Sequence, residues 1–152
     1  SEIVKGIDHQ SMTVLDVGCG RGHLLSVLHK EKPHLKLTGC DVTERPTLPE
    51  SIGYFQADIT SLPFKDESFD TVICTHTIEH LRDVHTAIKE LKRVAKRQLI
   101  IVTPRQRYFY FTLDLHLNFY PESSYLENVV NMENHSCTEI NGDWLYIGHF
   151  QR

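Results

Sequence analysis

The stretch Thr13–Leu25, TVLDVGCGRGHLL, constrains the fold of this 152-residue chain more than any other. Its first residues are rich in Val and Leu, which predicts a short strand buried on both faces. Three glycines follow at alternate positions, where the backbone can turn sharply and approach a ligand without a Cβ in the way: Gly18, Gly20 and Gly22. A helix is expected to begin near His23. A buried strand, a glycine turn and a helix in this order predict a binding site for a nucleotide cofactor.

Asp16 indicates which cofactor binds. It stands two residues before the first glycine, where a carboxylate would repel the pyrophosphate of a dinucleotide and attract the α-ammonium of S-adenosylmethionine. The glycine spacing is GxGxG rather than the GxGxxG of dinucleotide-binding folds. On these residues the chain resembles class I S-adenosylmethionine-dependent methyltransferases, whose first motif is similar to VLDVGCGxG. The alternative is that the glycines only make a tight turn.

Two further acidic residues extend this resemblance. Asp41 ends the second predicted strand, about twenty residues after the glycine turn, where its carboxylate can accept hydrogen bonds from both ribose hydroxyls; a solvated aspartate at a strand end is the alternative. Asp58 and Ile59 resemble the family's adenine site, in which the carboxylate accepts from the exocyclic amine and the apolar side chain packs on the ring. The predicted cofactor residues are Asp16, Gly18, Cys19, Gly20, Gly22, Asp41, Val42, Asp58, Ile59 and Thr75.

The order of predicted elements is β-α-β-x-β-x-β-α-β-α-β-β, where x marks an irregular connection. This order predicts an α/β fold, a doubly wound, Rossmann-like and mostly parallel sheet with right-handed crossovers and an antiparallel last strand. The third strand is predicted over Gly53–Ile59, an amphipathic helix over Val84–Lys96, and a final hairpin around Asn141-Gly142.

The domain prediction has two parts, a short N-terminal segment at residues 1–12 and one methyltransferase domain at residues 13–152. The first residue is Ser rather than Met, which suggests a trimmed or partial chain. The resemblance implies N-terminal helices that cover the cofactor, and the sequence has room for at most a short one.

The amino-acid composition indicates which kind of protein this is and which kinds of partner it can bind. No apolar run approaches the roughly 18 residues of a membrane span, and 40% hydrophobic with 24% charged residues is typical of a soluble globular protein. The formal net charge of -4 argues against a broad nucleic-acid surface. The four cysteines show no CxxC spacing, which indicates reduced thiols in a cytoplasmic protein. The expected partner is a small-molecule acceptor, and the oligomeric state is left open.

A cluster of histidine and glutamate follows the fourth predicted strand, in CTHTIEHL. His76, Glu79 and His80 fall at i, i+3 and i+4, so that one helical turn can aim all three side chains the same way. His116 lies after the fifth strand, in an aromatic stretch at residues 105–120 that is expected to cover the substrate. The spacing predicts a divalent-metal site made of His76, Glu79, His80 and His116.

This cluster resembles two methyltransferase groups that carry ExxEH after the fourth strand and a histidine after the fifth. They are the ubiquinone-biosynthesis O-methyltransferases and the small-RNA terminal-ribose methyltransferases; here His76 replaces the first glutamate. The resemblance implies a divalent cation that binds two neighbouring substrate oxygens and eases deprotonation of one hydroxyl. Two alternatives stay open, a metal-free site with His76 or His80 as general base and a purely structural pair.

Together these features predict a methyltransferase that transfers a methyl group from S-adenosylmethionine to a hydroxyl of a small molecule. A sugar or another acceptor with vicinal oxygens is expected, with a divalent metal as a possible second cofactor. The alternatives are an RNA terminal-ribose methyltransferase and a cofactor-binding subunit without catalytic activity.

Overall fold

We describe the protein from a computed structural model, for residues 1–108 and 113–151. Part of the aromatic stretch expected over the substrate, residues 109–112, lies outside this description. Four helices lie within these residues: α1 (Glu2–Gly6), α2 (His23–Glu31), α3 (Val84–Val94) and α4 (Ser123–Val130). A single 3-10 turn spans Ile78–His80.

The described strands form one seven-stranded sheet in the order β3-β2-β1-β4-β5-β7-β6. Neighbours pair in parallel from β3 to β5, and β7 runs antiparallel to both β5 and β6. This arrangement confirms the predicted doubly wound, mostly parallel fold with an antiparallel last strand. The strands are β1 (Thr13–Val17), β2 (Lys36–Asp41), β3 (Gly53–Gln56), β4 (Phe69–Thr75), β5 (Ala95–Pro104), β6 (His135–Ile140) and β7 (Asp143–His149).

The central strands β1, β4 and β5 are buried on both faces because most of their residues are apolar. Alternate residues enter two separate hydrophobic clusters, one on each side of the sheet. Helix α3 packs on one face and helix α2 on the other, as the crossovers of a doubly wound sheet require. Leu15, Val72 and Ile101 line the α3 side, and Val14, Ile73 and Ile100 line the α2 side, all at 0% exposure.

Two predicted boundaries are wrong. Strand β3 ends at Gln56 rather than Ile59, because the Asp58 carboxylate accepts hydrogen bonds from the amide and hydroxyl of Thr60 and closes a turn there. Helix α3 ends at Val94 rather than Lys96. Ala95 already pairs with Phe69 as the first residue of β5, so the strand begins without a connecting loop.

The final hairpin turns where it was predicted. Asn141 and Gly142 have φ angles of 51° and 86°, the left-handed conformation that a two-residue hairpin turn needs at both positions. The turn brings Asp143, the first residue of β7, opposite Pro104 at the carboxyl end of β5.

Within the described residues, no helix combines the length and the apolar character that crossing a membrane requires.

Candidate active site

The glycine turn is fastened to the end of the neighbouring strand. The amides of Gly18 and Cys19 both donate to the carbonyl of Cys40, at 2.7 and 3.1 Å, and the amide of Gly20 donates to Oδ2 of Asp41 at 2.8 Å. Gly18 has φ +73°, and a Cβ there would lie 2.2 Å from Oγ1 of Thr77. A side chain is therefore excluded at Gly18 by both backbone conformation and close packing.

Two cavities open at the carboxyl edge of the parallel strands, on either side of this turn. The first, of about 420 Å³, is lined by Gly18, Gly20, Asp41, Val42, Asp58 and Ile59, together with Thr77 and His80. The second, of about 330 Å³, is lined by Asp16, Cys19 and Thr75, together with Arg21, His23 and Asp143. His76 lines both cavities.

Nine of the ten predicted cofactor residues thus face one of the two cavities. Gly22 is the remaining one, and it packs instead on Leu48, whose Cδ2 lies 2.5 Å from the position of an added Cβ. Its φ of +74° places it as the residue from which helix α2 starts. The conformation and packing of Gly22 set the geometry of the turn, and its contact with the cofactor stays a prediction.

Asp16 is a buried acidic residue that forms no ion pair with any residue that the structure describes. Its side chain is 1% exposed, and its Oδ1 has no hydrogen-bond partner among the residues that the structure describes. Burial, aided by the charge of Asp41, raises the pKa of Asp16 to about 7. A buried carboxyl group at a cavity wall is a binding position for a cationic group, which would favour the ionised form of the carboxyl.

The other two predicted carboxylates are held in fixed orientations. Oδ1 of Asp41 accepts from the amide and hydroxyl of Thr43, each at 3.1 Å, while its Oδ2 holds the glycine turn. Oδ1 of Asp58 accepts from the amide and hydroxyl of Thr60 at 2.8 and 2.7 Å. These bonds lower the pKa of Asp58, so that the group is an anion at neutral pH.

Three of the four predicted metal ligands come together above strand β4. One ligand atom from each of Glu79, His80 and His116 lies within 4.8 Å of the others, and the two imidazole rings meet edge to face with centroids 4.7 Å apart. Glu79 is 1% exposed. Its Oε2 accepts from the Thr103 hydroxyl at 3.2 Å, whereas its Oε1 has no hydrogen-bond partner among the described residues.

His76 does not belong to this cluster of three. It precedes the 3-10 turn and has a φ of 48°, so one regular helical turn does not carry all three of the predicted residues. Its Nε2 lies 3.2 Å from Oδ2 of Asp143, and its Nδ1 lies 3.7 Å from Oε1 of Glu79. The carboxylates of Glu79 and Asp143 raise the pKa of His76 above its ordinary value.

Asp143 and Asn118 are the site residues that the sequence interpretation missed. Asp143 could have been found, because the Asn-Gly turn that precedes it brings the first residue of β7 to the same sheet edge. Asn118 donates hydrogen bonds to the carbonyls of Ile78 and Leu81. No local pattern around Asn118 indicates those partners, which lie about forty residues earlier in the chain.

Comparison with known proteins agrees with this geometry. Residues 15–103, more than half of the chain, match the family model described as a methyltransferase domain. The demethylmenaquinone methyltransferase of Roseiflexus castenholzii is 35% identical over 89 residues, which are 54% of this chain and 37% of that protein. The malonyl-[acyl-carrier protein] O-methyltransferase of Anoxybacillus flavithermus is 30% identical over 128 residues, 77% of this chain and 47% of that protein.

A solved structure shows the same fold at lower sequence identity. The crystal structure of a SAM-dependent methyltransferase from Aquifex aeolicus superposes with a TM-score of 0.73 at 20% identity, covering 97% of this chain and 87% of that one. The chain spans about a third to a half of the length of the curated relatives that it matches. The chain belongs to the methyltransferase-domain family of class I S-adenosylmethionine-dependent methyltransferases.

Proposed function

We propose that this chain transfers a methyl group from S-adenosylmethionine to a hydroxyl oxygen of a small-molecule acceptor. The observation that carries the proposal is the pair of cavities that meet at His76, with nine predicted cofactor residues on their walls. The cofactor supplies an electrophilic methyl group, and the protein has to hold it and bring an oxygen into line with it.

The residues fit this cofactor at both ends. The carboxyl groups of Asp41 and Asp58 are held in fixed orientations on the wall of the larger cavity. They suit the ribose hydroxyls and the adenine amine, with Ile59 as an apolar surface for the ring. Asp16 offers a buried oxygen without a partner, which suits the α-ammonium. Gly18 and Gly20, which line the larger cavity, carry no side chain that would obstruct the cofactor.

The nature of the acceptor is inferred from size and polarity. The smaller cavity, of about 330 Å³, is in the range of small-molecule sites. Its Asp16 wall is assigned above to the α-ammonium of the cofactor, and the acceptor would occupy the part of the cavity beside His76 and Asp143. The cavity combines the apolar side chains of Leu24, Val27 and Val102 with the polar groups of His76 and Asp143. The relative that matches the largest share of this chain among those compared above is an O-methyltransferase. A sugar or another acceptor with vicinal oxygens satisfies these conditions.

We further propose that a divalent metal assists the reaction, with Glu79, His80 and His116 as its ligands. The geometry supports this proposal, because one ligand atom of each residue lies within 4.8 Å of the others. The buried Oε1 of Glu79 has no hydrogen bond among the described residues, and the nearest ring nitrogens of His76 and His80 stand 3.7 and 3.9 Å from it. Two imidazoles and one carboxylate leave coordination positions open and suit zinc, manganese, iron or cobalt. The metal would make a bound hydroxyl easier to deprotonate. His76, the fourth predicted ligand, lies outside this group of three and stands between Glu79 and Asp143.

We also propose the cytoplasm as the location of the protein. All four cysteines are described and none is paired with another, which agrees with a reducing compartment.

Transfer of a labelled methyl group tests the acceptor class and the metal together. Purified protein is analysed for bound metals and then incubated with methyl-labelled S-adenosylmethionine and a panel of catechols, sugars, quinols and short RNAs, with and without chelator. We expect the labelled methyl group to appear on an oxygen of a small molecule with vicinal oxygens, and we expect this transfer to be lost after chelation. Unchanged transfer in the presence of chelator would refute the metal proposal. His76 and His80 would then be the candidate general bases. Labelling of RNA alone, weakening steeply with salt, would contradict the small-molecule proposal.

A further inference from the structure

We propose that Asn118 is the positioning residue that brings His116 to Glu79 and His80. The inference rests on the proposed metal function of those three residues, and it concerns how the chain assembles them. His116 is separated from His80 by more than thirty residues, part of which lie outside the described structure. Something must therefore fix the segment that carries His116 against the turn that carries the other two ligands.

The segment at residues 115–118 is fastened to the 3-10 turn by its backbone. The amides of Leu117 and Asn118 both donate to the carbonyl of Glu79, at 2.7 and 3.0 Å. Nδ1 of His80 lies 3.4 Å from the carbonyl of Leu115. His116 therefore stands between two residues that each contact the turn, which limits the positions its ring can take.

The side chain of Asn118 completes this attachment. Its Nδ2 donates to the carbonyl of Ile78 at 3.0 Å and to the carbonyl of Leu81 at 2.7 Å. These carbonyls come from the start of the turn and from the residue after it, so a single amide group spans the whole turn. A primary amide has two N–H donors, and Asn118 directs both of them at one short backbone segment.

The backbone of the same segment needs such support. Leu115 has a φ of 56°, a left-handed conformation that is unfavourable for a residue with a branched side chain. Leu113 and Leu115 are both exposed, so apolar burial does not hold the segment in place at these two residues. The hydrogen bonds from Leu117 and Asn118 then supply much of what orders it.

The contacts of the His116 ring indicate which of its two nitrogens is free to bind a metal. Its Nδ1 lies beside Oε1 of Gln106 and 3.3 Å from Oδ2 of Asp114. With Nδ1 engaged by these oxygens, Nε2 is the nitrogen left for a ligand, which is the arrangement usual for a metal-bound histidine. Asn118 sets the place of the ring, and Gln106 and Asp114 set its orientation.

The experiment compares the parent protein with Asn118→Ala, Asn118→Leu and the control Asn128→Ala. The leucine variant keeps a side chain of similar size but removes both N–H donors. Asn128 lies on the exposed side of α4, outside the site. Each chelator-treated protein is titrated with Co²⁺ and followed by visible absorption. The nuclear Overhauser effect between the imidazole protons of His80 and His116 is recorded without metal, and affinity for S-adenosylmethionine shows that each variant is folded.

We expect both Asn118 variants to bind Co²⁺ 10- to 100-fold more weakly than the parent, as is usual for groups that orient ligands. We expect the ring-to-ring Overhauser effect to disappear in both, with cofactor affinity retained and Asn128→Ala unchanged. Parent-like Co²⁺ affinity and a retained Overhauser effect in the two variants would overturn the inference. If the parent binds no Co²⁺, the metal proposal fails, and the Overhauser effect alone decides the role of Asn118: its loss supports the role and its persistence overturns it.

Discussion

At the scale of single residues, Asp16 is the group whose chemistry is most affected by its surroundings. Burial raises its pKa to about 7, whereas an aspartate in an unfolded chain titrates near about 3.9. Between these values the folded protein keeps a proton that the unfolded chain has released. This group therefore lowers the stability of the free protein as the pH rises from about 4 to about 7. A bound cation beside Oδ1 would reverse that effect.

The first prediction is that cofactor binding at pH 6 releases a proton from Asp16. Binding of an α-ammonium requires the ionised carboxylate, so affinity should increase as the pH rises from 6 to 7. Calorimetry at pH 6 in buffers of different ionisation enthalpy measures the proton directly. Asp16→Asn should abolish the release. Asp58→Asn is the matched control, because the pKa of Asp58 is already lowered, and it should weaken binding without changing the proton count. No proton release by the parent would contradict this assignment.

At the scale of elements, helix α3 holds the loop that follows the adenine-site residues. The guanidinium of Arg93 donates to both carboxylate oxygens of Glu90, at 2.7 and 2.8 Å. It also donates to the carbonyls of Leu62 and Phe64, at 3.1 and 2.7 Å, while Oε2 of Glu90 accepts from the amide of Leu62 at 2.9 Å. Arg93 and Glu90 together therefore hold the loop through both the amide and the carbonyl of Leu62.

The second prediction is that Arg93→Ala lowers the free energy of unfolding by about 2 kcal/mol, the range of one charge-assisted network that is partly exposed. Arg93→Lys should recover only part of this loss, since an ammonium cannot form the two parallel bonds. Lys89→Ala, an exposed neighbour on the same helix, should change stability by less than about 0.5 kcal/mol. Urea unfolding and hydrogen exchange at the Leu62 amide measure both effects. Equal losses for Arg93→Ala and Lys89→Ala would refute the role of the pair.

Some elements of the structure could be predicted from the sequence and others could not. Strands β1, β4 and β5 could be predicted, because residues buried on both faces are mostly apolar. The buried polar exceptions are Asp16, Thr71, Gln98 and Thr103. The end of β3 could not be predicted, because it depends on the side-chain hydrogen bonds of Asp58. The 3-10 turn could not be predicted either, because a single short turn has no periodic pattern in the sequence. The proposed cofactor residues could be predicted from local motifs, and nine of them line the two cavities. The contacts of Asp143 with His76 and of Asn118 with the turn depend on residues distant in the chain, which no window of sequence contains.

At the scale of the whole molecule, sheet topology explains why the site lies where it does. The parallel strands β1, β2 and β4 all end at one edge, and the antiparallel hairpin adds Asp143 to that edge. Residues that are far apart in the chain therefore meet around the two cavities. The fold is shared with other methyltransferases, and it is these residues that carry the proposed chemistry.

The most direct test of the account is calorimetric titration of the protein with S-adenosylmethionine and with its demethylated product, S-adenosylhomocysteine. We expect one site per chain for both ligands. Asp41→Ala should weaken binding by at least about tenfold, because it removes charge-assisted hydrogen bonds to the ribose, whereas Glu44→Gln, an exposed acid in the following connection, should bind like the parent. A folded parent protein that binds neither ligand, or an Asp41→Ala variant that binds as tightly as the parent, would contradict the central claim.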